Sequence, residues 1–596
     1  MTTPPPPAAS ADIEMEVIAR AVAHLPVVRA IMDRIGILDT LDELLGSDPR
    51  NRVSDAEAVL VMVLNILQGR VALYDMDEWL SGTDVELLLG AGVQASYFND
   101  ARLAACLDHI YEAGTENILS AVAKNYLGRP ETPEVHTVHL DTTSIALQGA
   151  YESAEGRVIP ARGYSKDNRP DLPQLVFGLG LHGSTGIPLA ATLFSGNASD
   201  PMVNRFHLET LVELLPDPAD VTLIGDCKLV DARTIGQLLG QKFHFVSLLP
   251  RNYGLREELV ERVRVEGQAL PELARSPGRT KKDPPRVYGG KSFVSDFTVG
   301  VGTAGDNHER RVPLRFLVVE SNQLDEEGEG VVERRLERER ASFEKDLAAA
   351  RKQAWSCQED AASALQKLTR KLGLHEAHVE VVATTVPVKR PTRGRPKVGS
   401  VPPEATVFKL VEKQPLTPLT AEVEKLRFHA RHFVLITDHT DEVAWPDSRV
   451  LAEYRHQHII EGHTGFRWLK NIATVAPVFL HTPTRIAALS LVMMLALMVR
   501  NYIQFELRKQ LAETGATIPD RLKKPTAKPT TEVAWLPFAH VMVLRVVAGG
   551  RTLPRKLQDM NEHGRTVLRM LALDEAIFRT PPIRKFRSAT PETSGM

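Results

Sequence analysis

Cysteine is scarce: Cys106, Cys227 and Cys357 are the only three in a chain of 596 residues. They lie far apart and form no C-x-x-C pair, which excludes a disulfide framework and a thiolate zinc site. The expected compartment is the reducing cytoplasm. A membrane-length apolar run is missing as well. The longest, residues 486–499, holds 14 residues between Arg485 and Arg500. That is short of the roughly 20 needed to cross a bilayer, so the run reads as a buried helix. The opening string MTTPPPPAAS has neither the basic nor the apolar region of a signal peptide, and residues 1–12 read as a disordered tail.

What the chain has in quantity is ordinary globular material. Hydrophobic residues make up 43% and charged residues 25%, enough for sizeable cores. The length predicts two to four domains at about 100–200 residues each. A net charge of −3 conceals an asymmetry: residues 1–128 hold 8 Lys+Arg against 19 Asp+Glu, whereas residues 500–587 hold 17 against 8. The basic end either meets a polyanion such as DNA or is simply a solvated face.

Residues 13–128 read as a small all-helical domain. Ser54 opens the run SDAEAVLVMVLNIL with Glu57 three positions on, a capping box. LYDMDEWL, DVELLLGAG and ARLAACLDHIYEAG then place apolar residues three or four apart. From residue 134 the period changes to two. VHTVHLDTTSIAL, LPQLVFGLGL, IPLAATLF, VTLIGDCKL and FHFVSLLP are five β-rich runs with helical segments after the third and fourth. Together with a strand at HFVLITD they predict an α/β fold, a mixed sheet with flanking helices, built from 134–250 and 431–510. In NASDP (197–201), Ser199 or Asp200 is the expected helix cap and Pro201 the first helical residue.

Residues 251–430 read as a large α+β insertion. It contains the strand-like pieces KSFVSDFTVGV, RVPLRFLVVES, HVEVVATTVPV and ATVFKLVE and a charged helical stretch over 332–372. That stretch reads as a solvated helical hairpin, with an antiparallel arm or a partner interface as alternatives. Residues 448–470 read as a continuous helix. Residues 511–530, marked by Pro525 and Pro529, form a linker, and 531–587 a basic helical C-terminal region.

Asp141 follows the alternating run VHTVHL inside a strand, where an acidic residue is disfavoured without a role. Asp226 ends the strand VTLIGD at its carboxyl end, where open α/β sheets hold ligands. An Asp at a strand end is as readily a turn cap as a catalytic group. The third candidate, Glu461, lies seven residues after Tyr454 and shares its helical face. Three carboxylates brought together need cations to stay ionised, and hard oxygen ligands suit Mg2+ or Mn2+.

The order Asp141, Asp226, Glu461, with a large insertion before the third acid, resembles the DDE transposases of bacterial insertion sequences. Within them it resembles the superfamily named after insertion sequence four, whose signature helix reads Y-x2-R-x3-E-x6-K. GYSKDNRPDLPQLVFGL (163–179), SGNASDP and the helical N-terminal region extend the resemblance over most of residues 20–510. It implies an RNase H-like sheet in which the first and fourth strands are neighbours, placing Asp141 beside Asp226. Two Mg2+ or Mn2+ ions would be held by Asp141, Asp226 and Glu461. The implied activity is binding of an element's terminal inverted repeats, pairing of two ends by a homodimer, and cleavage and joining to target double-stranded DNA in the bacterial cytoplasm, in association with the nucleoid. The 13–128 domain is then an end-recognition or dimerisation module.

The sequence departs from the signature in two places: Gln457 takes the Arg position and Trp468 the Lys position. Arg455, Arg467 and Lys470 are the nearby basic residues, and Lys470 would face away from Glu461 on a continuous helix. Tyr454, as a phosphate or sugar contact, and Arg455, Gln457, Arg467 and Lys470 make up the expected DNA-facing set. Lys166 and Arg169 join it from the loop 164–173, which either touches DNA or is a rigid polar turn. Arg393 and Arg395 lie in RGRP, an AT-hook core for a narrow minor groove or a merely basic linker.

GGKS at 289–292 is not a nucleotide loop, because the upstream glycine position holds Pro285 and a strand follows. His456, His458 and His463 read as packing or DNA-facing groups. Two other readings share these residues: a metal-dependent nuclease without strand transfer, and a DNA-binding descendant that has lost catalysis.

Overall fold

The computed structural model describes residues 15–46, 48–147, 158–163, 169, 171–278, 283–301, 308–388, 401, 404–462, 464–475, 482–548 and 551–584. The expected tail, Lys166, the RGRP string and His463 lie outside them. The chain divides into two compact units. One comprises Met1–Ser247, Thr298–Val312 and Glu453–Met596, the other Leu248–Phe297 and Pro313–Ala452.

The first unit is built on a mixed sheet of β1 (Thr137–Ala146), β2 (Gln174–His182), β3 (Pro188–Ser195), β4 (Thr222–Gly225) and β5 (His244–Leu248), in the order β3-β2-β1-β4-β5. The five alternating runs are therefore strands. β1 is antiparallel to β2 and parallel to β4, and β4 is parallel to β5. Parallel neighbours need crossovers, supplied by the helix Asp200–Leu214 before β4 and the helix Ala232–Gly240 after it.

All nine residues of β2 are buried. A Cβ at Gly178 would come 2.4 Å from Val203 Cγ1 and 2.6 Å from His207 Cε1, so glycine is what lets the helix Asp200–Leu214 lie on the strand. That helix has Ser199 at its N-cap without a side-chain capping bond, and it opens at Asp200 with Pro201 second.

Burial holds the His207 imidazole down at about 4, against an ordinary 6.5. The same cause holds His24, stacked on Trp535 at 4.1 Å, at about 4. Both folded values lie below the unfolded ones, so as pH falls the unfolded chain takes up protons that the folded chain refuses. The stability they protect is full above pH 6.5, declines down to about pH 4, and is lost below it. His207→Leu is expected to flatten that decline by up to one proton, about 1.4 kcal/mol per pH unit, in urea melts taken across this window.

The capping box forms as read: Glu57 N–H donates to Ser54 Oγ (3.1 Å) and Ser54 N–H to Glu57 Oε2 (2.8 Å). The 486–499 run lies in the 32-residue helix Pro483–Thr514, which is long and apolar enough to cross a membrane. Its most apolar window is nevertheless 89% buried, packed on the helices Asp55–Leu64, Asp100–Ala113 and Thr115–Leu127. It is the core helix of the bundle, as expected.

The N-terminal region is not all-helical. It opens with a strand, Met15–Ala21, paired antiparallel with Met542–Ala548 from the far end of the chain. The same pairing corrects the helical reading of 531–587. MVLRVVA is a β-branched run, and it completes a sheet with Arg551–Thr552 and Lys556–Gln558. Basic side chains of this region close on the acidic N-terminal helices: Arg555 on Asp84 (2.7 Å), Arg545 on Glu86 (2.8 Å) and Arg584 on Glu57 (2.7 Å). Three of the basic residues behind the charge asymmetry are thus paired with acids of the N-terminal helices.

The strands Glu272–Ser276, Arg286–Val301, His308–Ser321 and His432–Thr437, most of whose residues belong to the second unit, lie in the order 432–437, 308–321, 286–301, 272–276. GGKS sits inside Arg286–Val301. The charged stretch is two helices, Leu324–Ala350 and Gln358–Thr369. They are not merely solvated: Phe343 and Leu347 pack with Leu410 and Leu416 of the strand pair His375–Pro387 and Glu404–Pro418. Buried Arg315 donates to the carbonyls of His439 and Trp445 and pairs with Asp447, fixing the start of the helix Asp447–Arg455.

Candidate active site

Leu140 of β1 is in register with Gly225 of β4. Asp141 and Asp226 are the next residues, so the two carboxylates leave adjacent parallel strands at one level. Asp226 is held by its surroundings: its Oδ1 accepts from the Lys228 N–H (2.8 Å) and its carbonyl from Ser247 Oγ (2.7 Å). Asp141 Oδ1 accepts from the Thr142 N–H at 2.7 Å. Both are half-buried and Glu461 is exposed, so the group is reachable from solvent.

The helix expected over 448–470 is broken into Asp447–Arg455, His458–Glu461 and Phe466–Val475. The first break is a turn at His456 and Gln457, and Gly462 and Gly465 cause the second. Gly462 leaves the helix in an extended conformation, and a Cβ at Gly465 would lie 2.0 Å from the Ile460 carbonyl oxygen. The short turn His458–Glu461 packs on β1 and β2.

His139, on the same face of β1 as Asp141, meets His456 edge to face at 5.4 Å, and His456 meets His458 at 5.4 Å. Burial, with His456 and His458 adding to it, holds the His139 imidazole down at about 3. Behind the carboxylates the ring is therefore neutral.

The charges of all three acids act on half-buried Tyr454. Its phenol is pushed well above its ordinary range, first by burial and then by the charges of Asp226, Glu461 and Asp141, with Cys227 contributing. The register of β1 and β4 sets Asp141 and Asp226 side by side, and Glu461 ends the short turn that packs on β1 and β2, although the three come from distant parts of the sequence. Such a cluster of hard anionic oxygens beside neutral imidazoles fits divalent cations of the Mg2+ type.

The expected DNA-facing residues divide. Arg467 is exposed, and Arg455 and Lys470 are half-buried. Gln457 is only 5% exposed, an interior position in the turn between the two helical pieces, which corrects the DNA-facing reading. Trp468, in the Lys position, is buried with the Arg500 guanidinium 5.4 Å over its ring. Arg169 is exposed and paired with Asp171 at 2.8 Å. Lys166, Arg393 and Arg395 lie outside the described residues.

Asp200, read from sequence as a helix cap, was missed. Its Oδ1 accepts from Thr142 Oγ1 at 2.5 Å, beside Asp141, and its Oδ2 lies 3.9 Å from Lys228 Nζ. An acid at the first helical position after SGNA was its only signal.

Comparison with known proteins adds a match over residues 17–124 to a domain of unknown function, DUF4277. No curated protein matches the chain. Among solved structures, a piggyBac transposase in a synaptic complex with hairpin DNA aligns over 87% of this chain and 81% of its own, at 8% identity and a TM-score of 0.33.

Proposed function

We propose that the chain is a DDE-type DNA transposase with an RNase H-like catalytic unit. The observation that carries the reading is geometric: the register of β1 and β4 sets Asp141 and Asp226 side by side, and Glu461 ends the turn that packs on β1 and β2. The strand order β3-β2-β1-β4-β5 supports the RNase H-like assignment, because it makes β1 and β4 parallel neighbours and sets Asp141, within β1, beside Asp226, just past the end of β4.

Asp141, Asp226 and Glu461 are the residues that would hold two Mg2+ or Mn2+ ions. Such ions, when bound, activate water for strand cleavage and stabilise the leaving 3′ oxygen. The chain's own groups orient the DNA. The Lys228 amide presets Asp226. Tyr454, kept protonated at neutral pH, donates a hydrogen bond to a phosphate or sugar oxygen instead of repelling it. Neutral His139 fills the space behind Asp141 without a cation that would compete for the carboxylates.

The substrates are the terminal inverted repeats of an insertion sequence, paired by a homodimer, and then target duplex DNA in the bacterial cytoplasm. The test incubates the protein and Mg2+ or Mn2+ with a duplex carrying the repeat found beside the coding region. The expected product is a cut at the repeat boundary with a free 3′ hydroxyl, followed by joining to a plasmid. Equal cutting of a scrambled end, or no cutting with either ion, rejects the reading.

A further inference from the structure

We infer that the hairpin Ile518–Thr526, with Lys528, is a docking surface for the phosphate backbone of duplex DNA. This rests on the DNA-handling reading above. The segment expected to be a linker is an ordered antiparallel turn, Ile518 paired with Thr526 and Pro519 with Pro525. Asp520 organises it: Oδ1 accepts from the N–H groups of Leu522 and Lys524, both at 2.8 Å. The Asp520 N–H donates to the Lys524 carbonyl (2.8 Å) and the Lys523 N–H to the Asp520 carbonyl (2.9 Å). Lys523 takes the left-handed conformation, φ 60°, that closes the turn.

The hairpin is also tied down. Ile518 is buried, the Arg508 Nε–H donates to the Pro529 carbonyl (2.8 Å), and Thr531 Oγ1 donates to the Arg500 carbonyl (2.9 Å). With Pro519, Pro525 and Pro529 restricting the backbone as well, little conformational entropy remains to be lost on binding.

This rigid turn presents Arg521, Lys523, Lys524 and Lys528, all exposed. Between Glu513 and Glu532 the only acid is Asp520, and its carboxylate is used inside the turn. Among the described residues none of the four cations forms an ion pair. Arg545, Arg555 and Arg584, by contrast, are held by acids of the N-terminal helices. Among the described cations of 531–584, Arg545, Arg555, Arg565, Arg569, Arg579 and Arg584 are all paired with acids, so the hairpin holds a dense group of exposed, unpaired cations at this end of the chain.

Four cations within eight residues match a polymer carrying about one negative charge per 1.7 Å of axis. Three of them are lysines, point charges that bind phosphates without the bidentate geometry that reads bases, so the contact is independent of sequence.

The test measures binding of the full chain to an unrelated 30-bp duplex by fluorescence anisotropy at several salt concentrations. It compares the wild type with the combined variant Arg521→Ala, Lys523→Ala, Lys524→Ala, Lys528→Ala. The slope of log K against log[salt] is expected to fall by about 0.9 for each lost phosphate contact, about 3.6 if all four cations make one, and affinity at least tenfold at about 0.1 M salt. A control variant removes four exposed cations of the second unit, Lys345, Lys352, Lys367 and Arg370, and is expected to keep the slope. Circular dichroism checks that both variants fold.

An unchanged slope in the hairpin variant, or an equal fall in the control, overturns the inference. So does a hairpin variant that loses binding to phosphatidylserine vesicles while keeping its DNA binding. Catalysis is not required by this assay: a protein that binds with the expected slopes but never cuts refutes the transposase reading alone, whereas one that cuts with an unchanged hairpin slope refutes the docking surface alone.

Discussion

Asp226→Asn is expected to abolish cleavage of a duplex carrying the element's end while leaving end binding intact, and Asp141→Asn and Glu461→Gln to do the same. Each exchange keeps the side-chain shape and removes one anionic ligand from the cluster around Tyr454. A ligand to catalytic ions should cost at least a thousandfold, about 4 kcal/mol of barrier. A residual rate within about tenfold of wild type, roughly 1.4 kcal/mol, takes that residue out of the site. Asp171→Asn is the matched control, an exposed acid already paired with Arg169, and should cut at close to the wild-type rate.

The second large effect is on stability. Arg555→Met is expected to destabilise the first unit by about 3–5 kcal/mol, the usual cost of leaving a buried charge without its partner. The two side chains are 8% and 5% exposed, and Asp84 also accepts from the Leu87 N–H at the start of its helix. Adding Asp84→Asn keeps that capping acceptor and removes the stranded charge, so the double variant should recover most of the loss. Thermal melts of the four proteins, with hydrogen exchange over Met15–Ala21, measure the coupling. A loss below about 1 kcal/mol in the single variant would show that the pair behaves as a solvated one.

What was legible in the sequence followed period and position. The five runs of period two are strands, and Asp141 and Asp226 stood out because an acid in or ending an apolar run needs a reason. The register that sets them side by side is a property of pairing between distant segments and has no local trace. Glu461 and Tyr454 were found as a pair on an assumed continuous helix. The helix is interrupted between them, at His456 and Gln457, and Glu461 sits on a separate short turn packed on β1 and β2. Asp200 was hidden because its role as a helix-starting residue already explained it. At the C-terminal end, the charge excess suggested a nucleic-acid face, but composition does not distinguish arginines buried against acids from lysines left outside. The β-branched run 542–548 carried the correction, since it reads as a strand that needs a partner.

The pairing of Met15–Ala21 with Met542–Ala548 also sets an order of events during synthesis. At about 5–20 residues per second, a ribosome needs on the order of half a minute to two minutes to travel from one strand to the other. Through that interval the opening strand has an open edge, and the N-terminal helices lack the arginines that neutralise Asp84, Glu86 and Glu57. An unpaired edge is a template for association with other chains. A nascent chain that stops before Met542–Ala548 has its first sheet unfinished and an open strand edge, which makes it a substrate for chaperones and proteases. Completion of the first sheet waits on translation through Met542–Ala548, more than 500 residues after the strand it pairs with.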